Sequence, residues 1–191
     1  MRGILVLLVV ATSSLVVGCG GGPDAPSSPS PTHASPSPTP TALSQSQQLV
    51  IYLHQLSKYV KRENAIGADA DKIHIKQSNH SALQSAYANI AQEASDLSIA
   101  VAVMNPPKCV AGSHQAYVRS LRTIYLAWTA LSNSETDWQL STSMMQADRL
   151  RALSLAHRGQ SESATWWFEL RVTAGKLHVR IPFSNPVPSA S

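Results

Sequence analysis

The chain has 191 residues, with 15 Lys and Arg against 11 Asp and Glu for a formal charge of +4, and only 14% of it is charged where about 25% is usual. Residues 1–18 are almost wholly apolar, the next stretch to residue 43 is rich in Pro, Ser and Thr, and only residue 44 onward has the composition of a folding unit. That stretch is long enough for one domain with a real core; a multidomain enzyme is excluded, and two cysteines are too few for a disulfide scaffold.

The chain opens Met1-Arg2-Gly3, a short basic start, followed by an apolar run from Ile4 to Val17 broken only by Thr12, Ser13 and Ser14. This run falls short of the ~18–20 residues that a membrane-spanning helix needs and ends in a small residue, which is the pattern of a cleaved signal peptide. Val16-Val17-Gly18-Cys19 resembles the lipobox of bacterial prolipoproteins. The resemblance covers the signal peptide and lipobox alone and does not reach the domain from residue 44. It implies cleavage before Cys19, a diacylglyceryl group on its thiol, and a domain held on the outer face of the cell membrane, or at an outer membrane in a diderm cell. A two-chain lipid is a lasting anchor, since each buried methylene contributes ~0.8 kcal/mol and a single acyl chain attaches only reversibly. The expected division is a signal peptide over 1–18, lipidated Cys19 and a linker to 43, a helical domain over 44–183 and a tail over 184–191.

Between Gly20 and Ala42 lie seven of the twelve prolines, interleaved with Ser and Thr and with no aliphatic side chain larger than Ala. Such a segment has nothing to bury and is expected to be a disordered linker. At ~3.1 Å per residue in polyproline II conformation it reaches on the order of 70 Å, the scale of a wall spacer.

Ser44 and Gln47 form a capping box, after which Leu49, Leu53, Leu56 and Val60 recur at helical spacing, so the first helix is expected over about 44–64. Residues 64–79, with Gly67, Asp69, Asp71 and Asn79, lose the period and read as a loop or a frayed helical extension. Leu83, Tyr87, Ile90, Ala94, Leu97, Val101 and Met104 follow in alternating steps of four and three, the seam of a second helix. Asn105-Pro106-Pro107 ends it, and Val110, His114, Tyr117, Leu121, Ile124, Trp128 and Leu131 repeat the pattern in a third. Ser132-Asn133-Ser134-Glu135 reads as the capping box of a fourth helix running toward Gly159. Beyond it, Trp167, Leu170, Ala174 and Leu177 suit a helix, while Leu177, Val179, Ile181 and Phe183 alternate as a strand would. Pro182 stops any helix and the alternation is short for a strand, so a helical continuation that ends in an extended tail from Val179 is expected. The expected fold is all-α: an antiparallel up-and-down bundle of about four helices preceded by the linker.

The motifs of metalloproteases, di-iron bundles, covalent haem, serine hydrolases and phosphate loops are missing. No catalytic residue, metal set or cofactor is therefore assigned. His114 stands on an otherwise apolar seam beside Tyr117, either as a ligand or proton switch or as a core histidine bonded to a carbonyl or a tyrosine. A copper or zinc site drawing on His54, His114, His157 and Met144 or Met145 is the metal alternative. Cys109, the second thiol, is read either as a buried side chain by the Pro106-Pro107 turn or as a site of intermolecular pairing. Asp69-Ala70-Asp71 lacks the Gly and closing Glu of a calcium loop.

Lys58, Lys61 and Arg62, then Lys72 and Lys76, then Arg149, Arg151, Arg158, Arg171, Lys176 and Arg180 carry the positive excess. This is either sparse solubilising charge or a surface drawn to anionic lipid or wall polymers; nucleic acid is a poor partner for an exported domain. Two readings of the role remain. In one the domain is a non-enzymatic interaction module that binds a protein or wall partner through Trp138, Trp166 and Trp167, because tryptophan is enriched at binding hot spots. In the other it carries a small ligand or metal in the bundle interior near His114 and Tyr117.

Overall fold

A computed structural model describes residues 42–73 and 79–186. The apolar run of 1–18, Cys19, the linker, His74, Lys76 and the last five residues lie outside them. The described part belongs to a compact unit, Thr41–Ser191, whose core draws on no described residue before Leu49. It is an all-helical bundle: α1 Gln45–Asp71, α2 His80–Ala102, α3 Ala111–Asp137 and α4 Thr142–Lys176, with one 3₁₀ turn, Lys108–Val110, leading into α3. No described helix is long and apolar enough to cross a membrane.

Side-chain pairs fix the directions of the helices. His80 and Gln84 at the start of α2 reach Glu135 and Thr136 at the end of α3, so these two helices run antiparallel. The end of α3 also meets the start of α4 through Glu135 and Arg149, so α4 reverses again. On α1, Tyr52 pairs with His114 and the later Glu63 pairs with the later Tyr117, which places α1 parallel to α3. The apolar seams meet inside, with Leu49, Leu53, Leu56, Leu97, Val101, Tyr117, Leu121, Trp166 and Leu170 almost wholly buried.

The first cap forms as its residues dictate: the Ser44 hydroxyl accepts from the Gln47 amide at 3.3 Å while the Gln47 side chain takes the Ser44 amide at 2.9 Å. The helix it starts runs beyond residue 64 to Asp71, because Ile66 is buried and continues the stripe. Asp69 and Asp71 therefore stand in a last helical turn, where Asp69 meets Lys72 at 2.7 Å.

The capping box at Ser132 to Glu135 does not start a helix. These residues are interior to α3, and tertiary or local partners take their polar groups. Ser132 donates to the Gln84 carbonyl, Ser134 to the Leu131 carbonyl, and Glu135 is buried between His80 and Arg149. The break falls instead at 138–141, and α4 begins at Thr142 without a side-chain cap. Gly159 does not end that helix either. It lies buried in its middle, where an added Cβ would stand 2.9 Å from Ile124 Cγ1 and 3.6 Å from the Ser120 carbonyl. The absent side chain lets α4 lie close against α3 at this point.

The helical continuation past Gly159 holds to Lys176. His178, at φ 55°, turns the chain out of the helix, with the Val179 amide donating to the Ala174 carbonyl and the His178 amide to the Gly175 carbonyl. This pair of bonds is a Schellman ending, with histidine where glycine is usual. The period-two signal beyond it belongs to a single extended strap: Val179, Ile181 and Phe183 pack on the core, and Phe183 meets the Trp167 ring at 6.1 Å.

Two glycines of opposite surroundings separate helix propensity from packing. At Gly67 an added Cβ meets nothing within 4 Å, so Gly67→Ala should raise unfolding free energy in urea by about 0.5–1 kcal/mol. Gly159→Val should lower it by about 1–3 kcal/mol through overpacking against Ile124.

Candidate functional site

Two buried polar pairs and one indole lie between α1, α3 and α4. The Tyr52 hydroxyl lies 3.0 Å from His114 Nδ1, and the Tyr117 hydroxyl donates to Glu63 Oε2 at 2.6 Å. Tyr117 stacks on Trp166 with ring centroids 4.2 Å apart. Heptad spacing positions them, since His114 and Tyr117 are consecutive seam residues of α3 while Tyr52 and Glu63 lie on the inner side of α1.

Burial dominates the electrostatics. It pushes the Tyr52 and Tyr117 hydroxyls well above the tyrosine range, with the Glu63 charge and hydrogen bond adding to the effect at Tyr117. It holds His114 below the usual histidine value, so the imidazole stays neutral at pH 7. His114 Nε2 is buried without a hydrogen-bond partner among the described residues. The His114 ring is thus paired with a tyrosine hydroxyl. Glu63 is pushed up to about 7 by burial, against the opposing pull of the Tyr117 hydrogen bond.

Glu63 faces a cavity of about 390 Å³ between the four helices, walled by Leu97, Leu121, Ile124, Trp128 and Ala152 among others. That volume lies within the ~300–1,000 Å³ of small-molecule sites. The cavity reaches solvent where exposed Gly67 and Asp71 of α1 face exposed Leu153 and Gln160 of α4, with Pro186 of the strap at its edge. Glu63 keeps some accessible surface because its carboxyl looks into this space. A smaller depression of about 270 Å³ lies around Cys109, Phe168 and Val172. It is shallower, and its buried polar group, Ser113, is already bonded to the Val110 carbonyl.

The residues singled out in the sequence are distributed unevenly around this cavity. Tyr117 forms its polar end through Glu63, and His114 lies one turn away. Trp166 is fully buried against Tyr117 and is a core residue, not an exposed contact. Trp167 is half-buried between Trp166 and Phe183. Only Trp138 is exposed, stacked 4.0 Å from the His80 ring. Cys109 is half-buried and unpaired. His54, His157 and Met144 are exposed while His114 is interior, so they do not converge on a metal site, and no described group of three His, Cys, Asp or Glu side chains could hold an ion.

Glu63 and Glu135 are the two functional groups that periodicity missed. Both stand on the position after the last apolar residue of a seam: Glu63 three residues past Val60, Glu135 four past Leu131. A carboxylate on the next seam position was the available signal. Glu135 is buried, with His80 Nδ1 at 2.6 Å on one oxygen and Arg149 at 3.0 Å on the other. It ties α2, α3 and α4 together at the far end of the bundle.

Because Glu63 holds its proton more firmly in the folded chain than at its ordinary value of 4.5, it contributes stability that is complete below that pH and is lost as pH rises through 7. His114 acts oppositely, its contribution fading as pH falls below the usual histidine value. Glu63→Gln keeps an acceptor for Tyr117 and removes only the first effect. The variant should match its parent in unfolding free energy near pH 4 and exceed it near pH 8, by on the order of a few kcal/mol. A difference that does not grow with pH would place Glu63 in ordinary solvent. No protein-family model matches the chain, and no curated protein and no solved structure matches it.

Proposed function

We propose that the chain is an extracytoplasmic lipoprotein, anchored by a diacylglyceryl group on Cys19, whose helical domain is a non-enzymatic carrier of an apolar small molecule. The observation behind the carrier reading is the cavity of about 390 Å³, apolar but for Glu63 and a few groups at its mouth, in a domain small enough to have filled it. Interiors of this size are normally packed to crystal density, with few voids larger than a water molecule. A lining of Leu, Ile, Ala and Trp offers an apolar guest area to bury at ~25 cal/mol per Å².

A docking role at the turn between α3 and α4 is the second reading. It is favoured by three apolar side chains exposed close together in sequence there, Trp138, Leu140 and Met144. Trp166 no longer supports it, and Trp167 supports it weakly.

Binding to the native state alone must raise its stability, by about 2.7 kcal/mol at a hundredfold excess over Kd. A titration of the 41–191 domain with 1-octanol should raise its melting temperature, and Ala156→Trp, which fills the cavity wall, should abolish the rise. No rise with the parent domain would sink the carrier reading. Anchoring is tested separately by mass spectrometry of the full chain expressed in a bacterial host. The expected mature chain begins at Cys19 and carries the mass of a diacylglyceryl group; an unmodified thiol or a different start would overturn it.

A further inference from the structure

The described charges of the cavity are of one sign. The whole chain carries +4, yet among the described residues the only charged side chains lining the cavity are the carboxyls of Glu63 and Asp71. Glu63 Oε2 receives the Tyr117 hydroxyl, while its other oxygen has no hydrogen bond among the described residues. An indole, Trp128, lies in the same wall, and an aromatic face attracts a cation held within ~6 Å of it.

We infer that the ligand of this cavity is a lipophilic amine, its alkyl or aryl body in the apolar space and its ammonium group on the Glu63 carboxylate. The assignment rests on the carrier reading above. A carboxylate ligand would bring two like charges together at Glu63, and a neutral one, even where a hydroxyl supplies a donor to the second carboxyl oxygen, would leave the carboxylate without a countercharge. An ammonium supplies that donor and the countercharge at once, and charge-assisted bonds of this kind are roughly twice as strong as neutral ones.

Among the described residues the groups facing Glu63 are few. Tyr117 comes from α3 and Asp71 stands further along α1; α2 contributes Ala94 and Leu97, and α4 contributes Ala152, Leu153, Ala156 and Gln160, none of which titrates. Tyr52 and His114 lie beyond Tyr117. With Glu63 protonated in the empty cavity at mildly acid pH, the ammonium displaces that proton to solvent, so amine affinity rises with pH until the carboxyl is fully ionised.

The experiment compares n-octylamine, 1-octanol and octanoate by calorimetry on the 41–191 domain at about pH 5.5 and about pH 8. At the higher pH octylamine is expected to bind at least roughly tenfold more tightly than either other probe, with the preference shrinking at the lower pH. Glu63→Gln should remove the preference and keep octanol binding. Leu153→Lys, a change at an exposed position of the mouth, should weaken octylamine binding selectively by placing a competing cation there. Equal affinities for octylamine and octanol, or a preference that survives both substitutions, would overturn the amine assignment and leave the carrier reading standing. Failure of all three probes to bind would overturn both.

Discussion

The stacking of Trp166 on Tyr117, with the Tyr117 hydroxyl held by Glu63, is the contact on which the rest of the bundle depends. It joins α4 to α3 through two aromatic faces and α3 to α1 through one short hydrogen bond. Both rings are fully withdrawn from water, and rings of this kind bury on the order of 150–250 Å² each. Around that contact the two halves of the interior pack differently. Small residues at the α3–α4 contact, with Gly159 against Ile124 and Ser120, let the backbones approach. Against α1 the inward side chains are Leu and Tyr, and the backbones stand farther apart.

That difference in spacing is the physical origin of the cavity. Near Tyr117 and Trp166 the large rings fill the interval between α1 and the α3–α4 pair. Further along α1 the residues lining the cavity are Glu63, Ile66, Gly67, Ala70 and Asp71, and apart from Ile66 they are too small or too polar to fill the same interval. The space they leave is apolar on α2 and α3, gains the polar Gln160 from α4, and among the described residues takes its carboxyls from α1, so the feature that opens the cavity also sets its electrostatic character.

Two sets of buried polar contacts run between helices: Tyr52 with His114 and Glu63 with Tyr117 join α1 to α3, and Glu135 with His80 and Arg149 joins α2, α3 and α4. Each crosses helix boundaries and so pins the register of the bundle, which apolar seams alone specify loosely. The orphaned His114 Nε2 and Trp166 Nε1 at the centre mark the destabilising side of building with large polar aromatics.

The sequence by itself determined the helices whose inner faces are large and apolar. α1 started at its capping box, and α2 and α3 lay where steps of four and three predicted them, because burial of Leu, Ile and Tyr repeats with the helical turn. The helical ending with an extended tail was legible too, since Pro182 and the alternation of Val179, Ile181 and Phe183 are local signals. Tertiary structure alone decided the rest. Ser132 to Glu135 has the local chemistry of a cap, and only the arrival of Gln84, His80 and Arg149 from other helices turns it into the interior of α3. Gly159 has the local chemistry of a helix end, and only the closeness of Ile124 makes it a packing position. Glu63 reads as one more surface carboxylate until three other helices wall it from water. A single strand of sequence carries the periodicity of one helix, but the partners that bury a polar group come from elsewhere in the chain, and it is burial that gives such a group its role.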